Sequence, residues 1–180
     1  DRMAMEQLLT KENIACVLDA THPYAVEASR NAKAAAQRTG VPYIRVLRKA
    51  SAVDGVVQVA GCDEAAAYLA SREGKALITT GSKELAAFTA VPHYQERLFV
   101  RVLPTGAVLS TCEALGFSAA NIIAMQGPFS REVNVALLRQ IGACFLVTKD
   151  GGSAGGFAEK LAAAREVGAT VILIARPPEE

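Results

Sequence analysis

Short apolar runs alternate with stretches of helical pattern along the whole chain, and the runs repeatedly end in loops rich in Thr, Ser, Asp, Lys and Gly. That alternation predicts a mainly parallel sheet with helices on both faces, because parallel strands need long crossovers and are buried on both sides. Strands are expected near 14–18, 43–47, 56–60, 76–79, 98–103, 121–125, 144–148 and 170–175, and helices near 3–11, 25–38, 63–72, 83–89, 131–141 and 156–167. In the helix after Ser130 the spacing of Val133, Ala136, Leu137 and Ile141 predicts one buried face, and Phe157, Leu161 and Ala164 repeat it in the last helix. The apolar pattern lapses between Lys49 and Gly55. The chain is therefore divided into residues 1–50, with too few strands for an independent sheet, and residues 51–180, with about six.

In open α/β sheets ligands collect beyond the carboxyl ends of the strands, so the loops there are the candidates for chemistry. The first is Asp19-Ala20-Thr21-His22-Pro23-Tyr24, where Pro23 fixes its own φ and biases His22 towards an extended backbone. The others are Thr80-Gly81-Ser82-Lys83-Glu84, Gln126-Gly127-Pro128-Phe129-Ser130 and Thr148-Lys149-Asp150-Gly151-Gly152-Ser153. Each has the composition of an ordinary strand-to-helix turn, so only their convergence on one edge would make a site. Lys83, expected in the first turn of a helix, is disfavoured there by the dipole unless an anion is present. Lys149 stands beside glycines that leave backbone room for a ligand, or else pairs locally with Asp150. Arg101, inside a strand, calls for a carboxylate partner from protein or substrate. His93 reads as a surface residue.

Spacing excludes several chemistries. Gly151-Gly152-Ser153-Ala154-Gly155 matches a nucleophile elbow, but both histidines, His22 and His93, precede the serine. The same glycines lack the lysine of a phosphate-binding P-loop, since Phe157 follows Gly156. Two histidines and four scattered cysteines, Cys16, Cys62, Cys112 and Cys144, give no metal-ligand spacing and suggest free buried thiols in a reducing cytoplasm. With 19 basic against 18 acidic residues and a formal net charge of +1, there is no basic stripe for nucleic acid. No apolar run approaches the ~20 residues of a membrane span.

Taken together, these segments resemble the precorrin-6A reductases, including the cobalt-precorrin-6A reductases, of corrin-ring biosynthesis. The resemblance rests on Asp19-Ala20-Thr21-His22-Pro23-Tyr24-Ala25, Val41-Pro42-Tyr43 with Arg45 and Arg48, and Thr79-Thr80-Gly81-Ser82 with Phe88. It continues through Arg101-Val102-Leu103-Pro104, Gly127-Pro128-Phe129, Leu146-Val147-Thr148-Lys149-Asp150 and Ala175-Arg176-Pro177. It implies two Rossmann-like α/β domains with the active site in the cleft between them, and a nicotinamide cofactor, NADPH or NADH, that reduces a precorrin-type tetrapyrrole. Members of the family open with a strand and a Gly-Gly-Thr loop, so the resemblance also implies a first domain that is incomplete in this chain, prone to self-association and unable to turn over alone.

The resemblance further implies roles at matched positions. Tyr24 and Lys149 are the catalytic candidates, with bound water an equal source of the proton. Thr21, His22, Thr80, Gly81, Ser82 and Lys83 would hold the cofactor, and Gly127, Phe129, Ser130, Asp150, Gly152 and Ser153 the substrate. A non-catalytic tetrapyrrole-binding module and a nicotinamide reductase of a smaller substrate remain as alternatives.

Overall fold

The computed structural model describes residues 1–21, 25–46, 54–150 and 156–175. Two compact units emerge, Asp1–Lys49 and Ala50–Arg176. The first contains α1 (Arg2–Lys11), β1 (Val17–Asp19), α2 (Val26–Thr39) and β2 (Tyr43–Arg45), with β1 and β2 parallel and in register from Val17↔Tyr43 to Asp19↔Arg45. Leu9, Ala35 and Ala36 form its core with Met5, Val17, Val41 and Tyr43 around them. Gly40 closes α2 in the left-handed region, where only glycine sits without strain. The first strand is shorter than expected: α1 runs to Lys11, and Asn13, at φ 48°, begins the turn that delays extended backbone to Val17.

The second unit is a six-stranded parallel sheet in the order β3-β8-β7-β4-β5-β6. Its strands are β3 (Val57–Val59), β4 (Lys75–Ile78), β5 (Leu98–Val102), β6 (Ile122–Ala124), β7 (Ala143–Lys149) and β8 (Thr170–Ile174). The central strands are apolar throughout, as a doubly covered sheet requires: Ala76, Leu77 and Ile78 of β4 are at most 1% exposed. The helices are α3 (Cys62–Ala70), α4 (Tyr94–Arg97), α5 (Gly106–Ala114), α6 (Arg131–Ile141) and α7 (Phe157–Val167). From β4 the chain proceeds outward to β5 and β6, then returns to β7 on the other side of β4. The β4/β7 boundary is thus a topological switch, the place where the connecting loops diverge and leave a crevice.

Three differences from the sequence reading have physical causes. The stretch expected as a helix over 83–89 is a 3-10 helix over Leu85–Ala90, preceded by a turn that contains Lys83. Helix α5 was not expected, because it opens on Gly106 and carries β-branched Val108 and Thr111, all weak helix formers. The buried face of α6 is Asn134, Val135, Leu138 and Ile141, while Val133 is 37% exposed. That rotation turns a polar residue inward, and α7 does the same with Lys160.

Candidate functional site

In the first unit, the loop leaving β1 is organised by one buried carboxylate. Asp19 is 3% exposed and accepts hydrogen bonds from Tyr43 Oη (2.6 Å), from Arg45 Nη1 (2.7 Å) and from the Thr21 amide (3.0 Å). Burial by itself would raise its pKa, but the hydrogen bonds from Tyr43 and Thr21 outweigh it and hold the group well below the usual carboxylate range. The Thr21 hydroxyl is engaged as well, by Arg45 Nη1 at 2.9 Å and Ser29 Oγ at 3.0 Å. Asp19 therefore ties the start of the loop to β2. His22 and Tyr24 lie outside the described residues, as do Gly152 and Ser153.

In the second unit the parallel strands deliver the remaining candidate loops to one edge. Thr79, at the end of β4, donates both its amide and its hydroxyl to the Val147 carbonyl at 2.9 Å, so the 79–84 segment is fastened to β7. Lys149, at the end of β7, forms an ion pair with the Glu84 carboxylate, and Cys62 Sγ donates to the same carboxylate at 3.5 Å. Burial first, and then the charge of Glu84, push the Cys62 thiol up to about 12, so it stays protonated. Beside this cluster the Thr80 hydroxyl is buried against the Cys62 thiol. Gly81, at φ +86°, has no heavy atom within 4 Å of where a Cβ would stand. An open stretch of backbone in a loop that leaves a parallel strand is what a polar ligand would need here, so the loop fits the amide or phosphate of a dinucleotide.

A cleft of about 270 Å³ opens at this edge, lined by Thr79, Gly81, Arg101, Val102, Leu103, Met125, Gly127, Pro128, Phe129 and Lys160. Three expected residues, Gly81, Gly127 and Phe129, are in its wall. Ser130 instead accepts from the Val133 amide as the N-cap of α6, and Lys83 is exposed in its turn. Lys149 is engaged by Glu84, and Asp150 is buried at 4% exposure.

Two cations dominate the cleft. Arg101 and Lys160 are each 8% exposed. Arg101 donates to Asn134 Oδ1 at 2.8 Å and lies 4.4 Å from the centre of the Phe129 ring, so its observed partners are an amide and an aromatic face, not a carboxylate. Asn134 is held in turn by donating to the Ser130 carbonyl at 2.7 Å. Burial lowers the Arg101 pKa to about 10. Lys160, in the first turns of α7, falls to about 8, first through burial and then through the charge of Arg101, with Asp150 and Glu159 opposing. Sequence reasoning singled out Arg101 but missed Lys160, whose one signal is a lysine on the apolar stripe of α7 beside Ala163 and Ala164.

These features define an α/β protein of the doubly wound class with a cleft at the carboxyl edge of its parallel sheet. The sequence profile of the family described as precorrin-6x reductase CbiJ/CobK matches residues 1–180. Cobalt-precorrin-6A reductase of Priestia megaterium is 40% identical over 180 residues, covering 98% of this chain and 71% of that protein. The cobalt-precorrin-6A reductase of Methanothermobacter thermautotrophicus is 37% identical over 179 residues, covering 98% of this chain and 59% of that protein. A solved structure of CobK precorrin-6A reductase superposes with a TM-score of 0.78 at 29% identity, over 99% of this chain and 71% of that one. The chain belongs to the precorrin-6x reductase family, oxidoreductases of corrin-ring biosynthesis.

Proposed function

We propose that this chain belongs to an enzyme that reduces precorrin-6A, or its cobalt form, with NADPH or NADH, and that the two units belong to the two domains of that reductase. The observation that carries the reading is a cleft lined by apolar side chains and two buried cations, at the carboxyl edge of a parallel sheet, in a chain whose residues 1–180 match this family. When bound, the nicotinamide supplies the hydride to one carbon of a macrocycle double bond, and a proton goes to the other. The protein's share is to hold two large partners in register and keep water from the reacting face.

Thr80, Gly81 and Ser82 are assigned to the cofactor in this reading, Gly81 through its open backbone. In this reading Thr21, His22 and Lys83 complete the cofactor contacts, and Gly127, Phe129, Ser130, Asp150, Gly152 and Ser153 face the substrate. Tyr24 and Lys149 are the proton-handling candidates, Lys149 as an ammonium oriented by Glu84.

The test is an anaerobic assay of the full-length protein with authentic precorrin-6A and cobalt-precorrin-6A, following loss of nicotinamide absorbance. Turnover with either tetrapyrrole is expected, and Lys83→Ala and Lys149→Ala should raise an apparent KM by about tenfold or more, the worth of one charge-assisted hydrogen bond. Binding of the tetrapyrrole without any nicotinamide oxidation would refute the reductase reading.

A further inference from the structure

We infer that Arg101 and Lys160 together form a subsite for one carboxylate-bearing side chain of the macrocyclic substrate, with Phe129, Met125 and Leu103 receiving the apolar body next to it. The inference rests on the reductase reading for the identity of the macrocycle, but its geometry stands on the cleft alone.

Two cations, each nine-tenths buried, line one cleft from different elements, Arg101 from β5 and Lys160 from α7. Among the described residues neither has a carboxylate within 4.0 Å, although buried lysine and arginine are ordinarily paired. Arg101 is fixed in place by Asn134 and the Phe129 ring, which satisfies one of its five donors and leaves the rest of the fork available. Lys160 has Arg101 as a like-charged neighbour, a repulsion that the charges of Asp150 and Glu159 oppose only in part and that an anion between the two heads would relieve.

The apolar side of the cleft argues for an acid arm on a hydrophobic ring. Leu103 is 53% and Met125 39% exposed at the same edge, next to the half-buried Phe129. A volume of about 270 Å³ is below the ~300–1,000 Å³ that engulfs a drug-sized ligand, so it admits one arm of a macrocycle and leaves the ring against the rim. Gly81 and Gly127 line the same cleft, and Arg101 and Lys160 add to them two long side-chain cations, the groups that form charge-assisted hydrogen bonds with a carboxylate.

The experiment compares Lys160→Met with wild type in the full-length protein, with far-UV circular dichroism as the check of folding. Uroporphyrin, a non-reducible polycarboxylate, is titrated by its own absorbance alongside its octamethyl ester, and KM is measured separately for precorrin-6A and for the nicotinamide. Uroporphyrin affinity and the KM for precorrin-6A should both worsen by roughly tenfold to a hundredfold, as loss of a charge-assisted contact requires, with the ester and the cofactor KM unmoved. A variant that instead raises the cofactor KM assigns the cations to the dinucleotide and overturns the subsite. Uroporphyrin binding that is absent in wild type, or identical in Lys160→Met, overturns it too. The porphyrin arm needs no turnover, so an inactive wild type that loses uroporphyrin affinity on Lys160→Met refutes the reductase reading and upholds the carboxylate subsite.

Discussion

Replacing Lys160 by methionine should make the protein more stable at neutral pH. Lys160 is 8% exposed, and burial with Arg101 nearby lowers its pKa from the ordinary 10.5 to about 8. At ~1.4 kcal/mol per pKa unit that difference corresponds to about 3 kcal/mol of destabilisation of the folded, charged form. The sign follows from proton counts. Below pH 8 both folded and unfolded chains carry the proton and the full penalty applies; between 8 and 10.5 the unfolded chain binds more proton than the folded one, so wild-type stability rises with pH. Asp150 and Glu159 favour the charge and lose that contribution in the variant, while methionine keeps an unbranched apolar stem at this buried position of α7. The net gain expected at pH 7 is about 1–3 kcal/mol. With a urea m-value of roughly 1–3 kcal/mol per molar, the midpoint should move up by about 1 M. Urea unfolding followed by far-UV circular dichroism at pH 7 and again above pH 10 is the measurement, and the advantage of the variant should shrink at the higher pH. A midpoint that is unchanged or lower at pH 7 would refute the reasoning, because Lys160 would then be a stabilising residue of the fold with no need of a ligand to explain it.

Other outcomes follow from particular contacts. Asp19→Asn removes the charge that Tyr43 and Arg45 surround, and should cost about 1.5–3 kcal/mol of local stability, seen as faster hydrogen exchange at Val17 and Val46. Because the folded Asp19 pKa is depressed, its stabilisation is present above the unfolded value of about 3.9 and is lost as pH falls, so wild-type protection should fade in acid while Asp19→Asn stays flat there. Asn134→Asp places an anion against Arg101 and should weaken uroporphyrin binding severalfold with the fold intact; unchanged affinity would separate Arg101 from the ligand. Gly74→Ala puts a Cβ 2.8 Å from Cys144 Sγ at φ +115° and should lower the melting temperature more than Gly81→Ala, whose Cβ meets open space.

The sheet was legible because parallel strands buried on both faces leave continuous apolar runs, as in Ala76-Leu77-Ile78, Phe145-Leu146-Val147 and Val171-Ile172-Leu173. The edge that gathers the loops was legible for the same reason, since parallel strands all end on one side. Residues whose position depends on helix rotation were not. Reading the apolar face of α6 as Val133, Ala136, Leu137 and Ile141 assumes that only apolar side chains point inward, and the real face begins at Asn134 because Arg101 on β5 needs its amide. In α7 the same assumption hid Lys160, which shares the inward stripe with Ala163 and Ala164. A helix that packs only on hydrophobic neighbours has no reason to turn a lysine inward, since burying an ammonium without a partner costs several kcal/mol. Where two adjacent helices each rotate a polar residue towards the carboxyl end of one sheet, the departure from the apolar pattern is itself the signal of a site. Lys160 lines the cleft from α7, and the cost of burying its charge there is the physical reason to assign it an anionic ligand.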